Sequence, residues 1–319
     1  MRGIGSGVTT DDPDHASCPV CEARDTTVLG PPVYRQPPRV AGVTIDLADL
    51  DLAWRRCRAC GYQFIHPPIP PDRLLACYAA APAGHWGTDE KIGELRFYDA
   101  KRRLLEKYSP GKRVLDFGCF DGGFLAFLGD AYEKFGIEPS SAAAQIAEQR
   151  GVNVLGPTTA AAIEMAMAAA IPPMDAIVAF DVFEHLSVPV ATLRDLGRLL
   201  KPGGVVLIET GDTDAPGFQR HGVRYTYGGL VEHVGLFNRS SIAAAAKSAG
   251  FTLTHFERSW HHVITPAQHV EYRAYNAAYH VLRALRALGM PLTSRLDRVA
   301  RGPLPWGTRA DHFLAVLST

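Results

Sequence analysis

Hydrophobic and polar positions along the chain form blocks that predict strands and helices in alternation. Short apolar runs, typical of buried parallel strands, fall at 113–117, 134–138, 152–155, 175–180 and 204–209. Stretches with a helical spacing of apolar residues lie between them, at about 122–130, 140–150, 160–170 and 189–200. Strands and helices that alternate in this way build a parallel sheet with helices on both faces. The pattern therefore predicts an α/β, doubly wound, Rossmann-like fold.

The alternation becomes less regular after the fifth strand. A helix at 240–250 leads into a strand at 251–257, and a last strand at 312–317 brings the expected sheet to seven strands. Between these two strands, residues 261–309 form an insertion with an amphipathic helix at about 266–288. A lid, an oligomer contact and an extra packed helix are all open interpretations of this insertion.

The first part of the chain differs in composition from the rest. Residues 1–16 are polar and are expected to be a disordered tail. Residues 17–71 contain short strand-like pieces and end in a stiff proline-rich segment, so we predict a small ribbon module there. Residues 72–110 show helical spacing and open a larger domain, which we place at 72–319.

Four of the six cysteines form two Cys-x-x-Cys pairs, Cys18 with Cys21 and Cys57 with Cys60, and 35 residues separate the pairs. This spacing is typical of a tetrahedral zinc site built from four thiolates. Such a site leaves no coordination position for substrate, so we predict structural Zn²⁺ in the ribbon module. Chance thiols or disulfides are the alternative interpretation.

Charge and hydropathy limit the classes of partner. Lysine plus arginine equal aspartate plus glutamate, at 33 each, so the chain has no overall basic character for binding nucleic acid. No apolar run approaches the length of a membrane span, and the N-terminal residues have no signal-peptide core. We therefore expect a cytoplasmic protein with reduced thiols, no membrane partner, and a monomeric or homodimeric state.

A glycine-rich turn follows the first strand of the expected sheet, in the stretch Val114 to Leu125. The crevice at the end of such a strand is where nucleotide-like ligands bind. Phe120 occupies the position where a dinucleotide site needs its second glycine, and the Asp116 carboxylate would repel a phosphate. A ligand with a cationic centre and an α-amino group suits this acid, and S-adenosylmethionine has both. Glu138, 22 residues after Asp116, ends the next strand and is placed to bind ribose hydroxyls.

Two further segments complete a recognisable series. Asp175 to Leu186 ends in Phe-Asp-Val-Phe-Glu-His-Leu, and Leu199 to Glu209 contains Leu-Lys-Pro-Gly-Gly before an apolar strand. Together with the glycine turn and Glu138, they resemble class I S-adenosylmethionine-dependent methyltransferases over roughly residues 95–260. The resemblance implies that the cofactor is bound by Asp116, Gly118, Cys119, Phe120, Gly122, Glu138, Pro139, Phe180, Asp181 and Val182. Cys119 itself is interpreted as a small packing residue.

Methyl transfer from a sulfonium usually needs a base that takes a proton from the acceptor, and histidine suits that role. His185, after Glu184 at the end of the fourth strand, is one candidate; a structural pair at a helix start is the alternative. Asp181-x-x-Glu184-His185 also resembles the Glu-x-x-Glu-His metal site of ubiquinone-pathway O-methyltransferases. The first position differs, and the sequence shows no ligand from a second segment, so a catalytic metal is not expected.

A second pair, Glu232 and His233, lies in the glycine- and aromatic-rich segment 211–235, which is typical of a substrate loop. With the ribbon, this segment resembles deoxysugar C-methyltransferases, in which a Glu-His pair abstracts the acceptor's proton. That resemblance implies that His233 is the base, tuned by Glu232, with Tyr227 nearby. The expected acceptor is a small molecule, a sugar, sugar-nucleotide or natural product, methylated on carbon or oxygen. A structural loop histidine is the alternative interpretation.

Weaker candidates and other classes of function complete the sequence-based predictions. Tyr78 and the His85–Trp86 pair lie between the ribbon and the larger domain and are candidates for acceptor contact or simple packing. The His261–His262 pair is a weaker candidate. A ribbon-containing RNA methyltransferase and a non-catalytic cofactor-binding protein are the alternative functions.

Overall fold

The computed structural model describes residues 16–34, 37–82, 96–260, 265–304 and 310–319, without the side chains of residues 96–97. The expected disordered tail at 1–16 lies outside these ranges except for Ala16. Ala16 is buried in a hydrophobic core and so does not belong to a disordered segment.

The N-terminal part is a small β-structure followed by a short helix. Its elements are β1 (Thr26–Gly30), β2 (Arg39–Val40), β3 (Val43–Thr44), β4 (Ala53–Cys57), β5 (Gln63–His66) and α1 (Pro71–Ala79). Strand β4 pairs with β1 and β5 on either side, all antiparallel. Pro71 at the first turn of α1 has no N–H to leave unpaired, which suits a helix start.

The rest of the described chain is an α/β unit. Its helices are α2 (Arg96–Tyr108), α3 (Gly123–Leu128), α4 (Ser141–Gln149), α5 (Thr159–Ala168), α6 (Pro189–Gly197), α7 (Pro216–His221), α8 (Arg239–Ala249), α9 (Pro266–Ala287) and α10 (Ser294–Arg301). Its strands are β6 (Arg113–Phe117), β7 (Glu133–Ile137), β8 (Asn153–Val154), β9 (Met174–Phe180), β10 (Leu200–Gly211), β11 (Gly235–Leu236), β12 (Thr252–Ser259) and β13 (His312–Ser318).

Seven of these strands form one sheet in the order β12-β13-β10-β9-β6-β7-β8. Strands β6 to β10 are parallel to one another, and β13 lies antiparallel between β10 and β12. One face packs against α2 and α3, and the other packs against α6 and α8. The predicted seven-stranded, doubly wound sheet is confirmed, and the carboxyl ends of β6, β7, β9 and β10 meet along one edge.

Several predicted boundaries move for identifiable reasons. The helical stretch expected at 72–110 is two helices, α1 and α2, and residues 83–95 between them are outside the described part. Helix α3 ends at Leu128 because Gly129 takes a left-handed conformation at φ +79°. Helix α8 ends as expected at Gly250, with φ +88°.

The ribbon is joined to the larger unit by a shared sheet. Strand β11 pairs antiparallel with β5, which gives a four-stranded sheet in the order β1-β4-β5-β11. Cys57, Tyr62 and Phe64 of the ribbon belong to the same hydrophobic core as Phe237 and Ile242. The boundary at residue 71 stays a prediction, but the ribbon is packed as part of the larger core.

The insertion contains the predicted long helix, α9, and a second helix, α10, that the sequence analysis did not predict. The two helices pack together, and the Tyr279 hydroxyl donates a hydrogen bond to the Gly302 carbonyl, 3.0 Å away. Arg224 donates to the carbonyls of Arg301 and Gly302, which fixes the insertion to the loop after β10. Among the described residues, no helix is both long and apolar enough to span a membrane.

Candidate active site

A cavity of about 890 Å³ opens at the edge of the sheet where β6, β7 and β9 end. Asp116, Glu138 and Asp181, which stand at or just beyond the ends of these strands, line it. The cavity extends towards the ribbon side at Tyr78 and towards the insertion at Tyr272. Its volume lies at the upper end of the range typical of ligand pockets, so it can hold a nucleoside and a small second molecule together.

The glycine turn has the backbone shape that its residues require. Gly118 has φ +82°, and a Cβ placed on it would lie 2.6 Å from Cγ2 of Val182, so only glycine fits here. Phe120, in place of a glycine, also takes a left-handed conformation, at φ +47°, which is costly for a side chain with a Cβ. Both residues line the cavity, as the sequence analysis expected of cofactor-binding residues.

Gly122 was also expected to bind the cofactor, but it is not among the residues that line the cavity. A Cβ on Gly122 would lie 3.1 Å from the Ala147 backbone and 3.0 Å from Val152. The residue lets the turn pack closely against α4. Gly122 thereby shapes the turn, and its direct contact with the cofactor stays a prediction.

The Glu138 carboxylate is held in place by the turn. Its Oε2 accepts the Phe120 N–H at 2.9 Å and its Oε1 accepts the Ser140 N–H at 2.7 Å. A carboxylate has about four lone-pair sites, so each oxygen keeps one for a ligand hydroxyl. Burial raises the pKa of Glu138, and the two backbone hydrogen bonds oppose that effect.

Asp116 is deeply buried at the end of β6. Burial raises its pKa to about 7, the Lys101 ammonium opposes that rise, and Glu138 adds to it. Lys101 forms a buried ion pair with Glu209, 2.6 Å between Nζ and Oε2, and is the one lysine or arginine among the described residues that line the cavity. The sequence analysis missed Lys101, since its helix lies outside every motif.

The remaining predicted cofactor residues all line the cavity: Cys119, Pro139, Phe180, Asp181 and Val182. Burial raises the pKa of the Cys119 thiol well above its usual value, which keeps it neutral and suits a packing residue. The Phe180 ring packs edge-on against Phe124, with centroids 5.0 Å apart.

Beyond the cofactor end, the two predicted Glu-His pairs meet. Glu184, His185 and His233 each offer one ligand atom, and these three atoms lie within 4.8 Å of one another. The Nε2 atoms of His185 and His233 are 3.8 and 4.0 Å from Oε1 of Glu184. We call these three residues the Glu-His-His cluster. Its third member, His233, comes from a second segment, and the sequence did not reveal that it lies beside Glu184 and His185.

Each imidazole of the cluster is oriented by a hydrogen bond at Nδ1, the ring nitrogen that points away from Glu184. Nδ1 of His233 donates to the Tyr227 carbonyl at 2.7 Å, and Nδ1 of His185 bonds to the Tyr78 hydroxyl. The Tyr227 hydroxyl donates to Glu184, whose other oxygen accepts from Thr210 at 2.7 Å. The His233 Nε2 lone pair therefore faces the cluster, and Tyr78 belongs to the site rather than to a packed linker.

The environment keeps both imidazoles neutral. Burial lowers the pKa of His185 to about 4. Burial, followed by the neighbouring His185, lowers the pKa of His233 well below its usual value. Burial, followed by Asp181, raises the pKa of Glu184 to about 8. In all three residues the largest cause of the pKa shift is burial, which disfavours the charged form of the side chain.

Glu232 is buried next to His233 in the chain. It adds to burial in raising the pKa of Tyr34 and of Tyr78, the second of which lines the cavity. A second carboxylate, that of Glu184, lies 4.0 Å from His233 Nε2. The tuning of His233 by Glu232 stays a prediction, and the structure adds a contact with Glu184 that the sequence did not suggest.

The third histidine that lines the cavity was not predicted from the sequence. Asp311 and His312, at the start of β13, line it next to Asp181. Because β13 is antiparallel, its first residue lies at the edge where the parallel strands end, so strand order could have revealed it. The candidates His85, Trp86, His261 and His262 lie outside the described residues.

The four ribbon cysteines come together as predicted. Cys18 and Cys60 sulfurs are 3.7 Å apart, and those of Cys21 and Cys57 are 3.5 Å apart. All four sulfurs lie within 4.8 Å of one another. A tetrahedral zinc with Zn–S bonds of about 2.3 Å places its sulfurs roughly 3.8 Å apart, so the donor set fits such an ion.

Comparison with known proteins identifies the family. The methyltransferase domain family matches residues 90–256. A ubiquinone biosynthesis O-methyltransferase of Caulobacter vibrioides is 34% identical over 161 residues, 43% of this chain and 61% of the relative. The enzyme of the same name from Paracidovorax citrulli is 28% identical over 44% of this chain and 63% of the relative. The chain thus spans about three fifths of these two relatives.

The sequence identity of this chain to solved structures is lower than its identity to these relatives. A SAM-dependent methyltransferase from Archaeoglobus fulgidus is 16% identical over 73% of this chain and 96% of its own, with a TM-score of 0.44. The plantazolicin methyltransferase solved with SAH is 17% identical over 72% and 87%, also with a TM-score of 0.44. Neither likeness bears on the acceptor.

The family match covers more than half of the chain and includes the glycine turn, Glu138 and the end of β9. The sheet order and the cavity at its edge agree with that match. The chain belongs to the methyltransferase domain family.

Proposed function

We propose that the enzyme transfers a methyl group to a hydroxyl oxygen of a small molecule that binds against the Glu-His-His cluster. The observation that carries this proposal is that one cavity is lined both by the ends of β6 and β7 and by Glu184, His185 and His233. A cofactor at the strand ends and an acceptor at the cluster would therefore share this cavity. The two relatives reported above are named O-methyltransferases, which supports oxygen as the accepting atom.

The cofactor end of the cavity fits the expected ligand. S-adenosylmethionine, when bound, supplies an electrophilic methyl group on a cationic sulfonium. Glu138 has free lone pairs for ribose hydroxyls, and Gly118 leaves room for close approach to the backbone. Asp116 and Lys101 supply an anion and a cation for the ammonium and carboxylate of the amino-acid part.

The Glu-His-His cluster would bind and orient the acceptor hydroxyl. Nδ1 of His233 donates to a carbonyl, so its Nε2 lone pair is available to accept a hydrogen bond from the acceptor hydroxyl, and His185 lies beside it with Nδ1 bonded to the Tyr78 hydroxyl. Alignment of the acceptor oxygen with the methyl group is the larger part of the catalytic task in a displacement of this kind. Burial of the cluster also excludes water.

A divalent cation at the cluster is a second candidate, favoured by one observation. Two imidazoles and a carboxylate within 4.8 Å form a donor set that suits Zn²⁺ or a similar ion, and both rings have the outer hydrogen bonds usual for ligands. Glu184, His185 and His233 would hold it, and its charge would favour loss of the acceptor's proton.

The names of the relatives and the charge of the cavity wall both bear on the class of acceptor. The sequence pattern of Glu232 and His233 suggested a sugar or sugar-nucleotide. The curated relatives reported above are instead named for ubiquinone biosynthesis, which favours a hydroxylated ring. RNA is a poorer candidate because the described residues that line the cavity include one cation, Lys101.

The test is methyl transfer from labelled S-adenosylmethionine to a panel of catechols, simple phenols, sugar-nucleotides and short RNAs, read by mass spectrometry. We expect a catechol or phenol to gain one methyl group on oxygen. His233→Gln should lower kcat/KM at least about 100-fold and leave the affinity for S-adenosylhomocysteine within about threefold. His255→Gln, a histidine on β12 outside the cavity, is the matched control. Binding of the cofactor without methylation of any acceptor would favour the non-catalytic alternative.

The cation is tested separately. After dialysis against a chelator, re-addition of Zn²⁺, Mg²⁺ or Mn²⁺ should restore activity in the native enzyme and not in Glu184→Gln if a cation takes part. Full activity after dialysis, with no metal bound beyond the ribbon site, would reject this second candidate.

A further inference from the structure

The two imidazoles of the Glu-His-His cluster have Nδ1 partners of different kinds. Nδ1 of His233 bonds to the Tyr227 carbonyl at 2.7 Å. A carbonyl only accepts, so the proton of this neutral ring is on Nδ1 and its Nε2 has a lone pair. Nδ1 of His185 bonds instead to the Tyr78 hydroxyl, which can donate or accept. The direction of this second bond decides whether Nε2 of His185 is a donor or an acceptor.

The Tyr78 hydroxyl is placed to donate. Burial, followed by the carboxylates of Glu232 and Glu184, raises the pKa of Tyr78 well above its usual value, so the hydroxyl keeps its proton. Within the described part of the chain, its one hydrogen-bond partner is Nδ1 of His185. A neutral imidazole nitrogen is a stronger acceptor than a phenol oxygen, and burial lowers the pKa of His185 to about 4, which keeps the ring neutral. Nδ1 of His185 therefore accepts, and its single proton is on Nε2.

The donor and the acceptor of the cluster lie side by side. Nε2 of His185 and Nε2 of His233 are 3.8 and 4.0 Å from the same oxygen, Oε1 of Glu184. The ring centroids of the two histidines are 5.0 Å apart, and their planes meet at 71°. Both histidines and Tyr78 line the cavity. A molecule in the cavity therefore meets an N–H and a lone pair at neighbouring positions.

These two groups suit different oxygens of an acceptor. The hydroxyl that is methylated donates a hydrogen bond to His233 and must keep a lone pair for the methyl group. A hydrogen bond from His185 to that same oxygen would withdraw the electron density that attacks the methyl carbon. The N–H of His185 is therefore better matched to a second oxygen on the neighbouring atom of the acceptor, in a hydroxyl, ether or carbonyl group.

The position of Tyr78 is set by the elements on either side of it. Tyr78 is in α1, whose Leu74 packs in the same hydrophobic cluster as Trp54 of the ribbon. Just after α1, the Ala81 carbonyl accepts the Ser140 hydroxyl at 3.3 Å, and Ser140 lines the cofactor end of the cavity. The helix that carries Tyr78 is thus held between the ribbon and the cofactor end.

We propose that Tyr78 is a positioning residue that fixes His185 as a hydrogen-bond donor, and that the enzyme selects an acceptor with a second, hydrogen-bond-accepting oxygen beside the hydroxyl that is methylated. This role rests on the proposed O-methylation. His233 holds the reacting hydroxyl and His185 holds its neighbour, so the acceptor is fixed at two points. The protein thereby decides which of two adjacent oxygens faces the methyl group.

The first test reads both tautomers by NMR of the full chain, labelled with ¹⁵N-histidine and saturated with S-adenosylhomocysteine, with His185→Gln and His233→Gln to assign the signals. We expect the proton of His185 on Nε2 and that of His233 on Nδ1. In Tyr78→Phe the His185 signals should move towards a mixture of tautomers. Tyr108→Phe, at the end of α2 outside the cavity, should leave them unchanged. A proton on Nδ1 of His185, or a cation bound at its Nε2, would overturn the assignment.

The second test compares two phenols of similar shape, 2-methoxyphenol and 2-ethylphenol, of which only the first has an accepting oxygen beside the hydroxyl. Isothermal titration of the native S-adenosylhomocysteine complex should show about tenfold tighter binding of 2-methoxyphenol, the strength of about one hydrogen bond. The ratio should fall to about threefold or less in Tyr78→Phe and in His185→Leu, and should stay near tenfold in Tyr108→Phe.

The outcomes separate the role of Tyr78 from the proposed function. Equal binding of the two phenols by the native enzyme, or an unchanged ratio in Tyr78→Phe, rejects that role and leaves the proposed O-methylation intact. An absence of methylation of every acceptor in the panel rejects the proposed function instead, whatever the ratio of affinities.

Discussion

Asp116 lies buried at the end of β6, and its protonation should affect how the cofactor binds. A buried carboxyl with its pKa raised to about 7 is neutral below that pH and charged above it. The cofactor's cationic groups prefer the charged form, so affinity for S-adenosylmethionine should rise as pH increases through 7. Isothermal titration between pH 5.5 and 8.5 checks this, with a fall of up to about tenfold per pH unit below the pKa.

Asp116→Asn is the control for this dependence. The variant should bind the cofactor more weakly at pH 8 and lose the dependence on pH near 7. The same raised pKa means that the ligand-free enzyme loses stability as pH rises from the unfolded value towards 7, because the folded state holds the proton more tightly. A native affinity that is flat across this range would contradict the role of Asp116.

Gly118 offers a cleaner mutational test of the turn. Gly118→Ala adds backbone strain at φ +82° and a contact at 2.6 Å with Val182 at the cavity wall. Gly250→Ala is the matched control, since Gly250, at the end of α8, has φ +88° and no atom within 4 Å of the added Cβ. Both variants should lose about 1 kcal/mol of stability, and Gly118→Ala alone should also lose at least tenfold in cofactor affinity. Equal affinity of the two variants would count against the close-approach argument.

Individual residues show most clearly which parts of the site could be predicted from the sequence and which could not. The turn, Glu138 and the cysteine pairs were predictable because each is a local pattern with a local physical cause. Lys101, Asp311 and His312 were not, because α2 and β13 meet the cavity only through the order of strands in the sheet. The contact of His233 with Glu184 was not predictable for the same reason, since Glu184 lies 49 positions earlier in the chain but 4.0 Å away.

At the scale of elements, the ribbon is positioned to hold part of the active site. Strand β5 pairs with β11, and the Ile65 N–H donates to the Val234 carbonyl at 3.0 Å. The Val234 N–H in turn donates to the Glu184 carbonyl at 2.8 Å. Tyr62 of the ribbon packs against Phe237, with centroids 4.7 Å apart. The segment that carries His233 is thus fixed between the ribbon and Glu184.

We therefore expect the ribbon metal to matter for catalysis as well as for stability. Cys57→Ser should reduce bound zinc from about one ion per chain, lower Tm by at least about 5 °C, and reduce kcat about tenfold or more. Cys77→Ser, at a buried cysteine outside the four-sulfur cluster, is the control and should keep its zinc. Metal content by mass spectrometry, read beside Tm, separates the two effects. Native zinc content in Cys57→Ser would show that Cys57 is not a ligand.

At the scale of the whole molecule, charge distinguishes a small acceptor from RNA. The chain carries 33 basic and 33 acidic residues, and the described part of the cavity wall has one cation, Lys101, and six carboxyl groups, of which Asp116 and Glu184 have raised pKa values: Asp116, Asp121, Glu138, Asp181, Glu184 and Asp311. A polyanion brought to such a site must overcome repulsion, and its affinity falls steeply with salt because bound counterions are released. A neutral phenol or catechol meets no such repulsion, and its binding releases no counterions.

The rate of O-methylation should therefore depend little on ionic strength. Between 50 and 300 mM NaCl, kcat/KM for the small-molecule acceptor should change by less than about threefold, because the reacting groups are buried and poorly screened. A short RNA should show no saturable binding at either salt concentration in fluorescence anisotropy. Binding of RNA that weakens by about 10³-fold over this range, together with methylated nucleotides in the digest, would instead favour the RNA methyltransferase alternative and place the acceptor site on a basic surface outside this cavity.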